Sequence, residues 1–89
     1  MASQHVTIVN RLGLHARASA KFVQTAAAFP CDIKVLRDGA CVNGKSIMGL
    51  MTLAAAKGAT LELQTSGEQE DVALAALVRL IEDRFGEAE

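Results

Sequence analysis

Apolar and polar residues alternate from Val6 to Val9, with Val6 and Ile8 on one side and Thr7 on the other. This period of two predicts a short, half-buried strand that runs into a turn at Asn10 to Gly13. From Ala16 the period changes. Ala18, Phe22, Ala26 and Phe29 recur on one helical stripe, with Ala16, Ala20, Val23 and Ala27 beside it and Arg17, Lys21 and Gln24 facing solvent. That spacing predicts a helix from Ala16 to about Ala28. Pro30 ends it, because the residue before a proline is pushed out of the α region. A second strand is predicted over Cys31 to Arg37, with Ile33 and Val35 inward. Asp38-Gly39 then supplies the two positive φ values of a type I′ hairpin turn into a third strand, Ala40 to Asn43.

Ser46 is placed to cap a short helix from Ile47 to about Leu53, with Gly58 closing the segment as a C-cap. Ile47, Met48, Leu50 and Met51 make this helix apolar nearly all round. So short a helix cannot hide every face in a small core, so Leu50 is assigned to the core and Ile47, Met48 and Met51 to a partly exposed patch suited to docking. Alternation returns over Thr60 to Thr65, a fourth strand with Leu61 and Leu63 inward. Ser66-Gly67-Glu68-Gln69 fits a capping box for a last helix whose apolar face is Val72, Leu74, Leu77, Val78, Ile81 and Phe85. Glu68, Glu70 and Asp71 near its start and Arg79 and Arg84 near its end complement its dipole. Gly86 to Glu89 reads as a frayed tail. The order β-α-β-β-α-β-α predicts an α+β fold, a four-stranded antiparallel sheet covered on one face by helices.

At 89 residues the chain is expected to form one domain over 1–89, near the lower limit at which a single core supports folding. Hydrophobic residues make up 51% of the chain, yet it has no Trp or Tyr and only three Phe, so alanine-faced helices must approach the sheet closely. A net charge of −1 leaves no electrostatic footprint for nucleic acid, and no apolar run is long enough to span a membrane. The N-terminus lacks the basic and apolar regions of a signal peptide, which makes the cytoplasm the expected location and a soluble monomer the expected state. Two cysteines remain. The hairpin pairs Cys41 with Leu36 and leaves Cys31 on the order of 16 Å away at strand rise, too far for a disulfide, so both are expected to be buried free thiols. No metal-ligand spacing is present, and no cofactor is expected.

The candidate chemistry lies at Asn10 to Ala20, where the first strand's turn gives way to an alanine-rich helix. His15 falls at or beside that helix's N-terminus. Unpaired N–H groups and the positive end of the dipole favour an anion there and disfavour an imidazolium, and the neutral imidazole is the nucleophilic form. A phosphoryl group on the ring would be within reach of the first-turn N–H groups of Ala16, Arg17 and Ala18 and of the Arg17 guanidinium.

Gly13-Leu14-His15-Ala16-Arg17 resembles the active-site signature of the HPr family, the histidine-containing phosphocarriers of the bacterial phosphotransferase system. Val42-Asn43-Gly44-Lys45-Ser46-Ile47-Met48-Gly49-Leu50-Met51 resembles that family's regulatory-serine segment. The resemblance covers nearly the whole chain and implies an open-faced β-sandwich. It also implies a phosphoryl group accepted at Nδ1 of His15 from enzyme I, ultimately from phosphoenolpyruvate, and passed to a IIA protein in sugar uptake or in the nitrogen-type regulatory branch. Such a protein is a stoichiometric carrier, not a turnover enzyme. Ser46 is implied as the site of an HPr kinase/phosphorylase. Ala20, Lys21, Lys45, Ile47, Met48 and Met51 are the expected partner-binding residues. One departure is Ala18, where many members carry proline; either residue is allowed in a first turn.

Two other motifs compete. Gly39 to Ser46 satisfies the phosphate-loop pattern G-x-x-x-x-G-K-S, but such a loop requires a compact nest between a buried parallel strand and a long helix, and here the first glycine falls in a hairpin. The strand order also matches RNA-recognition modules. Those stack bases on strand aromatics, and the predicted strands contain none.

Overall fold

In the computed structural model, which describes residues 1–89, the alternating segments form strands β1 (Ala2–Thr7), β2 (Asp32–Arg37), β3 (Ala40–Asn43) and β4 (Thr60–Ser66). The segments of helical period form α1 (Ala16–Ala27), α2 (Ile47–Thr52) and α3 (Glu70–Glu82), followed by a 3₁₀ turn at Arg84–Gly86. The four strands lie in the order β1-β4-β2-β3, and every neighbouring pair is antiparallel. One face of the sheet carries Val6, Ile33, Val35, Leu61 and Leu63. Against it pack Ala18, Phe22 and Ala26 of α1 and Ala73, Leu77, Val78 and Ile81 of α3. On α3 the buried Ala73 lets the helix approach β1 and β4 closely, whereas α1 lies nearest to α2 and α3 and fills the core with Phe22. The fold class and element order follow the expectation.

The hairpin has the predicted geometry: Asp38 and Gly39 take φ of 49° and 85°, and Leu36 pairs with Cys41. Ser46 caps α2, its Oγ accepting from the Gly49 N–H at 3.0 Å. Other boundaries move. β1 begins at Ala2 because Ser3, Gln4 and His5 complete the ladder with β4, a polar stretch whose backbone pairing leaves no hydrophobic signal. Gly58 does not cap α2, which closes at Leu53; Gly58 donates its N–H to the Ile8 carbonyl at 2.7 Å and leads into β4. The Ser66 capping box is absent as well. Ser66 ends β4, Gln69 takes a left-handed conformation, and the Glu70 carboxylate instead accepts from the Gly67 N–H at 3.0 Å. Val72, expected on the apolar face of α3, is exposed, and its neighbour Ala73 is buried in its place. Cys31 is buried as expected, but Cys41 lies exposed on the uncovered face of the sheet's edge strand, and both thiols are free.

The largest departure is the C-terminus, which does not fray. Phe85 is fully buried although it stands beyond α3, because Arg84 and Phe85 both take left-handed φ, 57° and 54°, and turn the chain back under the core. Left-handed backbone costs about 1–2 kcal/mol per non-glycine residue. Burying a phenylalanine side chain returns about 1.5–3 kcal/mol, so the two nearly offset. The Lys21 Nζ donates to the Phe85 carbonyl at 2.7 Å and closes the turn onto α1. Lys21 is therefore half-buried and tied, not free in solvent.

Candidate functional site

Asn10 is fully buried and shapes the loop that precedes α1. Its Nδ2 donates to the Gly13 carbonyl at 2.8 Å, while the Gly13 N–H donates back to the Asn10 carbonyl at 3.2 Å. Gly13, at φ 67°, lets the chain pass against the segment after α2, and the Leu14 N–H donates to the Ala55 carbonyl at 2.8 Å. With Leu14 buried, His15 becomes the N-cap residue of α1, in extended backbone, and its carbonyl accepts the first helical bond from Ser19. The imidazole does not cap its own helix. The backbone N–H groups of Ala16, Arg17 and Ala18 therefore have no partner and face the end where positive dipole charge collects.

His15, Ala16 and Arg17 line a recess of about 530 Å³ together with Arg11, Leu12 and three residues of the C-terminal tail, Glu87, Ala88 and Glu89. Arg17 is exposed and makes no ion pair, so its guanidinium is free to meet an anion. Arg11 is committed: its Nε lies 3.0 Å from the Glu89 carboxylate, and its N–H donates to the Glu89 carbonyl. The Nε2 of His15 lies 2.6 Å from Oε2 of Glu87, whose Oε1 accepts from Asn10 Nδ2 at 3.1 Å. Burial of the Glu87 side chain pushes its carboxyl up, but the hydrogen bonds from His15 and Asn10 and the charges of His15 and Lys21 together hold it below its ordinary value. An ionised carboxylate only accepts, so across this contact Nε2 is the donor, and Nδ1 is left without a protein partner.

The remaining candidate residues fall around this recess or away from it. Ala18 is fully buried and does not line the recess, although its N–H is one of the three unpaired at that helix end, and Ala20 is half-buried further along α1. Ile47, Met48 and Met51 are 40%, 76% and 43% exposed, whereas Leu50 is fully buried. Their helix α2 packs against α1, and the loop that follows it supplies the Ala55 carbonyl beside His15. Lys45 reaches the other end of α1, where its Nζ donates to the Phe29 carbonyl at 2.7 Å. His5 stands apart on β1, 3.9 Å from Glu62 on the uncovered sheet face. The phosphate-loop pattern is strand, not nest: Ala40 to Val42 pair with β2, and the Gly44 N–H donates to the Ile33 carbonyl.

Sequence reasoning missed Asn10, Leu12 and Glu87. Phe85-Gly86 held a usable signal for the last of these. An aromatic on the apolar stripe followed by glycine marks a helix end that turns back on the core, which carries the next residues over the surface.

The chain matches the family model described as the PTS HPr component phosphorylation site over residues 2–83. It is 58% identical to the phosphocarrier protein HPr of Pseudomonas aeruginosa, with both chains covered in full. Its fold superposes on the crystal structure of an HPr from Thermoanaerobacter tengcongensis with a TM-score of 0.96 at 46% identity, again over the whole of both chains. A second structure, described as an HPr dimer from that organism, matches with a TM-score of 0.79 at 47% identity over 98% of this chain and all of the other.

Proposed function

Because the chain belongs to the HPr family of phosphocarriers in the phosphotransferase system, we propose that its phosphoryl group is carried on Nδ1 of His15. The observation that carries this reading is the pairing of one uncommitted ring nitrogen with a set of unpaired donors. Nδ1 has no protein partner, and the free N–H groups of Ala16, Arg17 and Ala18 stand at the same helix end with the unpaired Arg17 beside them. A phosphoryl group on Nδ1 brings negative charge to donors already oriented for it, so little reorganisation is needed when the P–N bond forms.

In this reading enzyme I, charged by phosphoenolpyruvate, is the donor, and a IIA protein is the acceptor. The carrier acts in this reading as a monomer in the cytoplasm, where phosphoenolpyruvate is found. No helix of the structure is long and apolar enough to cross a membrane. In this reading the exposed Ile47, Met48 and Met51 form the apolar part of the docking surface, and Ala20, Lys21, Lys45 and Arg17 are its further partner-binding residues. Ser46, at the edge of that patch, is the regulatory position.

Incubation with enzyme I, magnesium and radiolabelled phosphoenolpyruvate tests the assignment. One acid-labile, base-stable phosphate is expected per chain, and His15→Ala abolishes it. Labelling that survives in His15→Ala and disappears in a His5 variant moves the site to β1. Adding sugar-type and nitrogen-type IIA proteins to the labelled carrier identifies the branch by which of them takes up the label.

A further inference from the structure

We propose that Glu87, held by Asn10, is a positioning residue for His15 that keeps the proton on Nε2 through the whole transfer cycle. The inference rests on the reading of His15 as the phosphoryl carrier. Its geometric basis is separate: a carboxylate at the end of the chain reaches a ring 72 residues earlier, with Oε2 2.6 Å from Nε2 and Oε1 fixed by a fully buried amide.

The tail is built to hold this contact. Phe85 anchors it in the core, Lys21 ties the Phe85 carbonyl to α1, and the Arg11–Glu89 pair fastens its last residue to the loop before His15. Glu87 thus sits between two clasps. Asn10 adds directional control, since its Nδ2 is shared between the Gly13 carbonyl and Glu87, which links the turn that places His15 to the group that orients its ring.

The chemistry follows from which nitrogen bears the proton. With Nε2–H donating to Glu87, the Nδ1 lone pair is free. It forms the P–N bond while the bond from phosphorus to the donor's nitrogen breaks and that electron pair stays with the donor. The ring then carries a formal positive charge, with phosphorus on Nδ1 and hydrogen on Nε2, and the carboxylate 2.6 Å away stabilises it. In the second step the acceptor's nitrogen attacks phosphorus, the P–Nδ1 pair returns to the ring, and a neutral imidazole leaves. No proton is gained or lost. If the Nε2 proton escaped from the phosphorylated ring, the leaving group would be an imidazole anion, a far poorer one. Glu87 keeps the carried phosphoryl group transferable as pH rises.

Charged groups around the carboxylate act on the same balance. Arg17 and Lys21 face it from α1, Arg11 from the preceding loop and Glu89 from its own segment. The substitution Glu87→Gln leaves these in place, removes the charge, and replaces one of the two accepting oxygens with a donor, so the side chain can no longer accept from both His15 and Asn10.

The experiment is ¹H–¹⁵N correlation NMR of the imidazole in the full chain and in Glu87→Gln, free and after phosphorylation with phosphoramidate. The free wild-type ring is expected as the Nε2–H tautomer and the variant as a mixture; an Nδ1–H ring in the wild type overturns the proposal whatever its function. On the phosphorylated proteins, the Nε2 proton of Glu87→Gln is expected to be lost at lower pH. Transfer from the variant to the IIA acceptor should then slow on the order of tenfold relative to wild type above that pH, with the difference shrinking below it. Glu87→Asp should restore part of the profile. Superimposable NMR and rate profiles for wild type and Glu87→Gln overturn the positioning role while leaving His15 as carrier. A wild-type protein that phosphoramidate and enzyme I both fail to label at His15 overturns the carrier reading, and with it the role of Glu87 in transfer.

Discussion

A Cβ placed on Gly13 would come within 2.5 Å of the Ala55 carbonyl oxygen, the same oxygen that accepts the N–H of Leu14. The contact joins the loop before α1 to the loop after α2, and so sets where His15 stands relative to the exposed side chains of α2.

Gly13→Ala should therefore damage both fold and site. The substitution faces a left-handed φ of 67° and a clash with backbone, which cannot move aside as a flexible side chain would. Such strain costs about 1–3 kcal/mol, and the clash adds to it. Urea unfolding should show a loss of about 2 kcal/mol or more. If the chain relieves the clash by shifting the Leu14–Ala55 contact, enzyme I-dependent labelling of His15 should also slow under conditions where the variant remains folded. A variant as stable as wild type would mean that the two loops are not held together through this glycine.

Acid should weaken the clasp on the tail in a way that one substitution isolates. The Glu87 carboxyl is held below its ordinary value of 4.5, as is Glu70, which gains first from the Gly67 N–H and then from the N-terminal ammonium. A carboxyl lowered in the folded state stabilises fully above the unfolded value, and the contribution disappears as pH falls through the folded one. Glu87→Gln should accordingly be less stable than wild type at pH 7, with the gap narrowing steadily below pH 4.5. Thermal unfolding of both proteins from pH 7 down to pH 3 measures this, and a gap that does not change with pH would place its origin outside the carboxylate's charge. Glu70 lowers both curves alike, so it leaves the difference untouched.

The sheet, the hairpin and α1 were legible because each is specified by a local pattern that tertiary packing does not oppose. Ile33 and Val35 alternate, Asp38-Gly39 adopts the turn its backbone freedom allows, and Ala18, Phe22 and Ala26 recur on one stripe. His15 was legible for the same reason, since a turn glycine followed by alanines marks a helix start. Glu87 was not. Its role depends on the left-handed turn at Arg84 and Phe85, residues with no intrinsic preference for that conformation, which the burial of one phenylalanine sustains. The capping box failed on a similar point, because Gly67 and Gln69 take left-handed φ and pass the reciprocal contact from residue 69 to Glu70.

Ser46 separates stability from docking. Its Oγ accepts the Gly49 N–H at 3.0 Å, and the residues that follow, Ile47 and Met48, are exposed and apolar. Ser46→Ala removes the cap and should lower stability by about 1 kcal/mol without altering the rate at which enzyme I phosphorylates His15. Ser46→Asp keeps an acceptor for the Gly49 N–H and places negative charge at a helix start, which its dipole favours, so thermal stability should be retained. The same charge must lose its hydration wherever Ile47 and Met48 dock, and it opposes any acidic group that a partner presents to Arg17. Phosphoryl transfer from enzyme I should therefore slow in Ser46→Asp, through a higher KM at nearly constant kcat for enzyme I, because the reacting nitrogen is on another helix. Rapid-quench transfer assays with both variants, paired with their melting curves, make the comparison. Equal transfer by Ser46→Asp and wild type would reduce Ser46 to a helix cap. Slowing in both variants in step with lost stability would trace the effect to the fold of α2 and not to charge at the docking surface.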